Sequence, residues 1–244
     1  TIQKETGYPA HVVRHSLKRL TDAEILSPYT LINIYPLGFD KVAVFFSLSS
    51  NDPAVRKKAI DFLLGLKCVV SVCELVGDYE FFMSIATRGT NDLAAILGHI
   101  SETIGCFHQQ AISTRSALFL YQRTYLANLG TPREFIAYHM GGDRVELGQE
   151  YVAVLLALDQ CGTATPACIA RKTGQPLSSV TCRIARLERE RIIAGYLYGV
   201  KVENLGVSMH DILISTRGSG PRLRERLHQF CLSEPNVIGL AHCL

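Results

Sequence analysis

The sequence predicts an α+β protein in which a helical head and a small βαββαβ domain each occur twice in tandem. Three observations predict this: a match of the chain to itself at an offset of 167 residues, a helix, Gly turn and helix pattern, and strand and helix signals in β-α-β-β-α-β order.

In the self-match, Ile2, Thr6, Gly7, Pro9, Val13, Arg19, Leu20, Ile25 and Tyr29 recur as Ile169, Thr173, Gly174, Pro176, Val180, Arg186, Leu187, Ile192 and Tyr196. These nine identities in twenty-nine positions compare with roughly two expected by chance at ordinary residue frequencies. After a one-residue insertion near Asn204 the match continues at offset 168, through Leu37/Leu205, Gly38/Gly206, Ser47/Ser215, Arg56/Arg224, Phe62/Phe230, Leu64/Leu232 and Val69/Val237. The repeat therefore spans two different modules.

The first module is helical. In the second copy, the segment from Tyr151 to Asp159 is apolar around most of its surface, as a buried first helix would be. Thr165, Pro166 and Gly174 supply an N-cap, a first-turn proline and a stop for a short helix. From Pro176 to about Glu190, Val180, Ile184 and Leu187 share one face, while Ser179, Arg183 and Arg186 fall on others. The β-rich stretch from Ile192 to Val202 is expected to form the wing of a winged helix-turn-helix.

The second module is α+β. A strand begins at Val42, a helix runs from Asp52 to Leu66 with Asp52 and Pro53 at its start, and a second strand covers Val69 to Leu75. Gly77-Asp78 reads as a hairpin turn, followed by a strand from Tyr79 to Thr87, a helix from Thr90 to Ile104 and a strand from Gln110 to Tyr121. This is the ferredoxin-like order. The expected domains are a first head over 1–38 that lacks its first helix, a βαββαβ domain over 39–129, and a linker over 130–146 signalled by Gly130, Pro132 and Gly141-Gly142. A second head over 147–206 and a second, incomplete βαββαβ domain over 207–244 follow. Both ends read as truncated: the chain starts at Thr1 without Met, and it stops one residue before the expected counterpart of Gly77.

Composition narrows the function. With 48% hydrophobic residues the 244-residue chain has material for packed cores, and no run of eighteen apolar residues exists to span a membrane. The net charge of +3 does not by itself indicate a nucleic-acid partner. The eight cysteines include no Cys-x-x-Cys pair and read as reduced thiols of a cytoplasmic protein. Cys106 with His108, and Cys161 with Cys168, match no zinc spacing, so no metal site and no cofactor is expected. No nucleophile and base pairing or phosphate loop stands out either: Gly141-Gly142-Asp143 and Gly218-Ser219-Gly220 lack the strand, Gly and helix context.

A helix-turn-helix, then Leu-Gly, then a βαββαβ unit whose hairpin reads Val76-Gly77-Asp78-Tyr79-Glu80-Phe81-Phe82, resembles the leucine-responsive/asparagine-regulator (Lrp/AsnC) family of bacterial and archaeal regulators. That resemblance implies a non-enzymatic, sequence-specific transcription regulator with double-stranded DNA and a small metabolite, such as an amino acid, as partners. It also implies a homo-oligomer, or a chain that mimics the family's dimer internally. Effector binding would alter the spacing of the two heads. The family carries Gly just after the recognition helix, where this chain has Glu24 and Arg191, so either the turn differs or a non-Gly residue is strained there.

On this reading the exposed side of the second helix in each head meets DNA: His11, Arg14, His15 and Lys18 in the first, Ser178, Ser179, Thr181 and Arg183 in the second, with Arg19 and Arg186 nearer the phosphates. A solvated basic helix face explains the same residues without DNA. Gly77, Asp78 and Tyr79 are the expected effector contacts, Asp78 pairing with an ammonium group, although a plain hairpin turn accounts for them equally. The same family shape also resembles siroheme decarboxylases, a reading that requires basic and His residues to converge on a large tetrapyrrole cavity in the effector layer. A signalling or architectural protein with protein contacts alone is a third reading.

Overall fold

A computed structural model describes residues 6–126, 133–138, 143–162, 165–216, 218 and 220–244. Gly130, Pro132, Gly141 and Gly142 of the expected linker, and Ile2 of the repeat, lie outside the described residues. The chain divides into two compact units, Thr1–Asn33 with Leu147–Thr216, and Ile34–Glu146 with Arg217–Leu244.

The first unit holds α1 (Ala10–Asp22), β1 (Leu26–Ile32), α4 (Gln149–Cys161), α5 (Pro166–Thr173), α6 (Leu177–Arg189) and β7 (Ile193–Val200). The stop and start signals act as their chemistry dictates. Thr165 accepts a hydrogen bond from the Cys168 N–H, Pro166 opens α5, and Gly174 ends it in a left-handed conformation. The seam read from the sequence is the core of this unit: Val180, Ile184 and Leu187 are buried along with Val154, Leu158 and Ile169. In α1 the same pattern buries no residue. Glu24 and Arg191, the two departures from glycine, are both left-handed at φ 55°. L-residues pay steric strain there.

The expected wing does not fold back on its own head. Instead β1 and β7 pair antiparallel with each other, Leu26 facing Val200 and Ile32 facing Ile193. The turn after α4 braces β1, since Thr30 Oγ1 donates to the Gly162 carbonyl at 2.6 Å.

The second unit contains β2 (Asp40–Leu48), α2 (Pro53–Gly65), β3 (Val69–Glu74), β4 (Phe81–Thr87), α3 (Thr90–Thr103), β5 (Phe107–Tyr121), β6 (Phe135–Tyr138), α7 (Pro221–Ser233) and β8 (Gly239–Cys243). The first six form the predicted ferredoxin-like arrangement, with strands ordered β3-β4-β2-β5. Alternation sends Val42, Val44, Phe46 and Leu48 to one face, where they meet Leu63, Met83, Ile85 and Ile100. Asp52 caps α2 by accepting from the Ala54 N–H at 2.8 Å.

Among the described residues no second βαββαβ layer forms, and the expected tandem arrangement is corrected to one α+β layer of this kind. Residues 207–216, the counterpart of β2, form no strand, and Ile212 is 80% exposed. No counterpart of β4 is present among the described residues to pair with them. β8 instead joins β5, Arg115 opposite Cys243 and Leu120 opposite Gly239. β6, from the stretch read as linker, pairs with the same part of β5. The fifteen-residue β5 thus carries β2 along one half and β6 and β8 along the other. Among the described residues no single helix is long and apolar enough to cross a membrane.

Candidate active site

Two clusters of polar chemistry flank β5 in the second unit, and neither was visible as a sequence motif. The first forms where α7, β6 and β8 meet the distal half of β5. His228 on α7 packs against Phe119 at 4.6 Å and Phe135 at 4.7 Å between ring centroids, and its Nδ1 lies 2.9 Å from Tyr121 Oη. Burial pushes the Tyr121 phenol up, so it holds its proton. The direction of the bond then follows the imidazole tautomer.

His242 on β8 also packs on Phe119, with ring centroids 5.3 Å apart. Its Nε2 is buried and has no hydrogen-bond partner. Burial, reinforced by the charges of Arg224 and His228, lowers its pKa below the ordinary histidine value. An imidazole in that state gives up a proton readily once charged. Two histidines therefore pack on one aromatic ring, and the Arg224 charge acts on one of them.

Arg133 locks this cluster. Its Nη1 donates to the carbonyls of Cys231 (2.8 Å) and Glu234 (2.6 Å), its Nε to that of Gln122 (2.7 Å), and its Nη2 to that of Val237. The free carbonyls at the end of α7 are satisfied by one guanidinium, which also lies over the Tyr121 ring. Arg133→Ala is expected to lower stability by about 2–3 kcal/mol, because charge-assisted bonds to several carbonyls are lost together. Urea unfolding measures this; an unchanged midpoint would show that water replaces the guanidinium without cost.

The second cluster lies at the start of β2. The ladders place Val42 opposite Thr114 and Lys41 opposite Ala86, so Lys41 and Arg115 occupy adjacent strands by continuation of the register. The Tyr35 hydroxyl spans them, donating to the Arg115 carbonyl at 2.8 Å and accepting from the Lys41 N–H. Burial and the neighbouring Arg115 charge pull the Lys41 ammonium down to about 8. Arg88 lies over Phe39 close by, 4.7 Å from the ring centroid.

The residues singled out by sequence are elsewhere. His11, Arg14, His15, Lys18 and Arg19 are all exposed on α1. On α6 the side chains are occupied by their own fold. Arg183 donates to Gln175 at 3.0 Å, Arg186 pairs with Glu190 at 2.7 Å and reaches the Tyr151 hydroxyl, and Thr181 bonds back to the Leu177 carbonyl. Ser178 and Ser179 line a shallow hollow with Glu150, Tyr151, Cys182 and Arg183. In the other unit Gly77 is exposed at φ 129°, Asp78 is exposed, and Tyr79 packs on Phe45 at 4.6 Å. Among the described residues no group of three or more His, Cys, Asp or Glu could hold a metal ion, and none of the eight cysteines is in a disulfide.

No protein-family model and no curated protein matches the chain. Two solved structures of the siroheme decarboxylase NirDL, one of them in co-complex with an iron-uroporphyrin III analogue, match 81% of the chain at 10% sequence identity, with TM-scores of 0.55 and 0.53. The chain spans 58% of the length of those chains. The class this defines is a fold class: the chain shares the α+β fold of those structures, with a ferredoxin-like layer of its own.

Three expectations are corrected by this finding. A non-enzyme was expected, yet both matched structures are of an enzyme. The attributes of transcription regulation and DNA binding rested on the fold, and the fold is shared with a decarboxylase. The expected partners, double-stranded DNA, an amino-acid-like effector and a homo-oligomeric or pseudo-dimeric arrangement, are withdrawn with them, because the matched complex holds an iron-tetrapyrrole analogue.

Proposed function

We propose that this chain acts as an enzyme of siroheme-decarboxylase type, removing CO2 from a carboxylated side chain of an iron tetrapyrrole substrate. The observation that supports the reading is that His228 and His242 both pack on Phe119 in the effector layer, with the Arg224 charge acting on His242.

The chemistry asks for two things of the protein. The carbon–carbon bond to the carboxylate breaks with its electron pair left on carbon, so CO2 departs and a proton must arrive at that carbon. His242 Nε2, buried with no partner of its own, is the proton donor in this reading. Tyr121 holds His228 through its Nδ1, and the rings of Phe119 and Phe135 pack against that imidazole and shield it from water. Arg224 supplies positive charge that draws the substrate carboxylate toward the histidines.

The test is incubation of the full chain with siroheme under anaerobic conditions, followed by mass spectrometry of the tetrapyrrole. Stepwise loss of CO2 is the expected result. An unchanged tetrapyrrole, together with no change in its absorbance spectrum on mixing, would end the decarboxylase reading.

A further inference from the structure

Lys41 and Arg115 pose an electrostatic problem that the protein does not solve internally. Both are half-buried, they sit on adjacent strands, and among the described residues neither side chain has a carboxylate partner. Two like charges removed from water repel and lose hydration together, a costly arrangement unless an anion lies between them.

A second, independent observation points to a polar occupant on the same side of the sheet. Lys41 alternates with the buried core residues Val42 and Val44, so it shares the opposite face with Ala43, and the ladder sets Ala43 across from Ser84. Ser84 is 3% exposed and its hydroxyl oxygen is buried with no hydrogen-bond partner. Buried hydroxyls are almost always satisfied. Here the small floor of Ala43, Ser84 and Ala86 lies beside two cations.

We propose that Lys41 and Arg115 together hold one carboxylate arm of the substrate, on a floor that includes Ser84, and so select tetrapyrroles by their acidic side chains. This rests on the decarboxylase reading for the identity of the ligand, but not for the existence of the anion site. Arg115 supplies the planar donor fork and Lys41 the point charge, a combination suited to a carboxylate. Anion binding also removes the repulsion, so the pair is destabilising when empty and stabilising when filled.

The experiment uses the full chain, the variants K41M and R115M and their double mutant, with uroporphyrin III as the probe and citrate as a second, unrelated polycarboxylate. Uroporphyrin affinity, followed by absorbance, is expected to fall about 10- to 100-fold in each single variant. The double mutant is expected to lose little more than either single one, because both cations serve the same carboxylate. Without ligand, melting temperatures of the variants are expected to equal or exceed that of the parent, since repulsion is relieved. Unchanged uroporphyrin affinity, or variants that melt several degrees lower in the absence of anion, would overturn the site. If the parent binds no porphyrin, the decarboxylase reading fails on its own. The anion site then stands if citrate raises the melting temperature of the parent but not of the variants, and falls if citrate does nothing.

Discussion

Replacing His242 by glutamine is expected to reduce turnover of the tetrapyrrole substrate by at least about 100-fold, the range associated with loss of a positioned general acid. Glutamine preserves much of the bulk against Phe119 but cannot carry a proton at the reacting carbon. The loss should therefore fall on kcat, with KM changing little, because substrate charge is met by Arg224 and not by the imidazole. The pH profile separates a proton donor from a packing residue. The parent should lose activity as pH rises through the depressed His242 pKa, which lies below the ordinary histidine value. The variant should show no such limb. His228→Gln should have a smaller effect, since its Nδ1 is engaged by Tyr121 and its ring is packed against Phe119. Equal kcat values for parent and H242Q would remove His242 from the chemistry.

Gly162→Ala is expected to destabilise the first unit by about 4 kcal/mol, combining left-handed backbone strain with a steric overlap. Gly162 has φ +64°, and a Cβ built there would stand 2.3 Å from the Pro28 carbonyl oxygen and 2.8 Å from its carbon. Those are backbone atoms at the pairing edge of β1, so no rotamer change relieves the overlap. The displaced turn would also pull the Gly162 carbonyl from Thr30 Oγ1, which donates to it at 2.6 Å. Thr30→Val is the control, expected to lose about 1 kcal/mol as a single hydrogen bond. Thermal and urea unfolding followed by circular dichroism give both values; a G162A midpoint within error of the parent would show that β1 can shift to admit the methyl group.

Much of the fold was legible because it rests on local rules. Thr165, Pro166 and Gly174 delimit α5 through capping geometry that needs no tertiary partner, and the period-2 pattern of Val42, Val44 and Phe46 marks a strand with one buried face. At Glu24 and Arg191, where the resembled family has glycine, the sequence left a different turn and a strained non-Gly residue as alternatives; both residues adopt φ 55°. The active-site residues were harder to see. His228 and His242 align with Ile60 and Glu74 in the self-match, so histidine standing in for a helix residue and a strand residue was the available signal. It carried no spacing that any motif would flag.

The division between the two sources of information follows from range. By itself the sequence determined the α+β class, the helix, Gly174 turn and helix from Pro166 to Arg189, and the order of the βαββαβ layer, all encoded in patterns a few residues long. Tertiary structure alone decided that β1 pairs with β7, and that β8 and β6 extend β5 in place of a second complete layer. It also decided that Arg183 and Arg186 are held by Gln175, Tyr151 and Glu190. The histidine cluster draws on residues from 119 to 242, and the Lys41 and Arg115 pair is separated by more than seventy residues of chain. Burial, like-charge proximity and an unpartnered nitrogen are properties of space, created when distant strands become neighbours, and no local pattern encodes them.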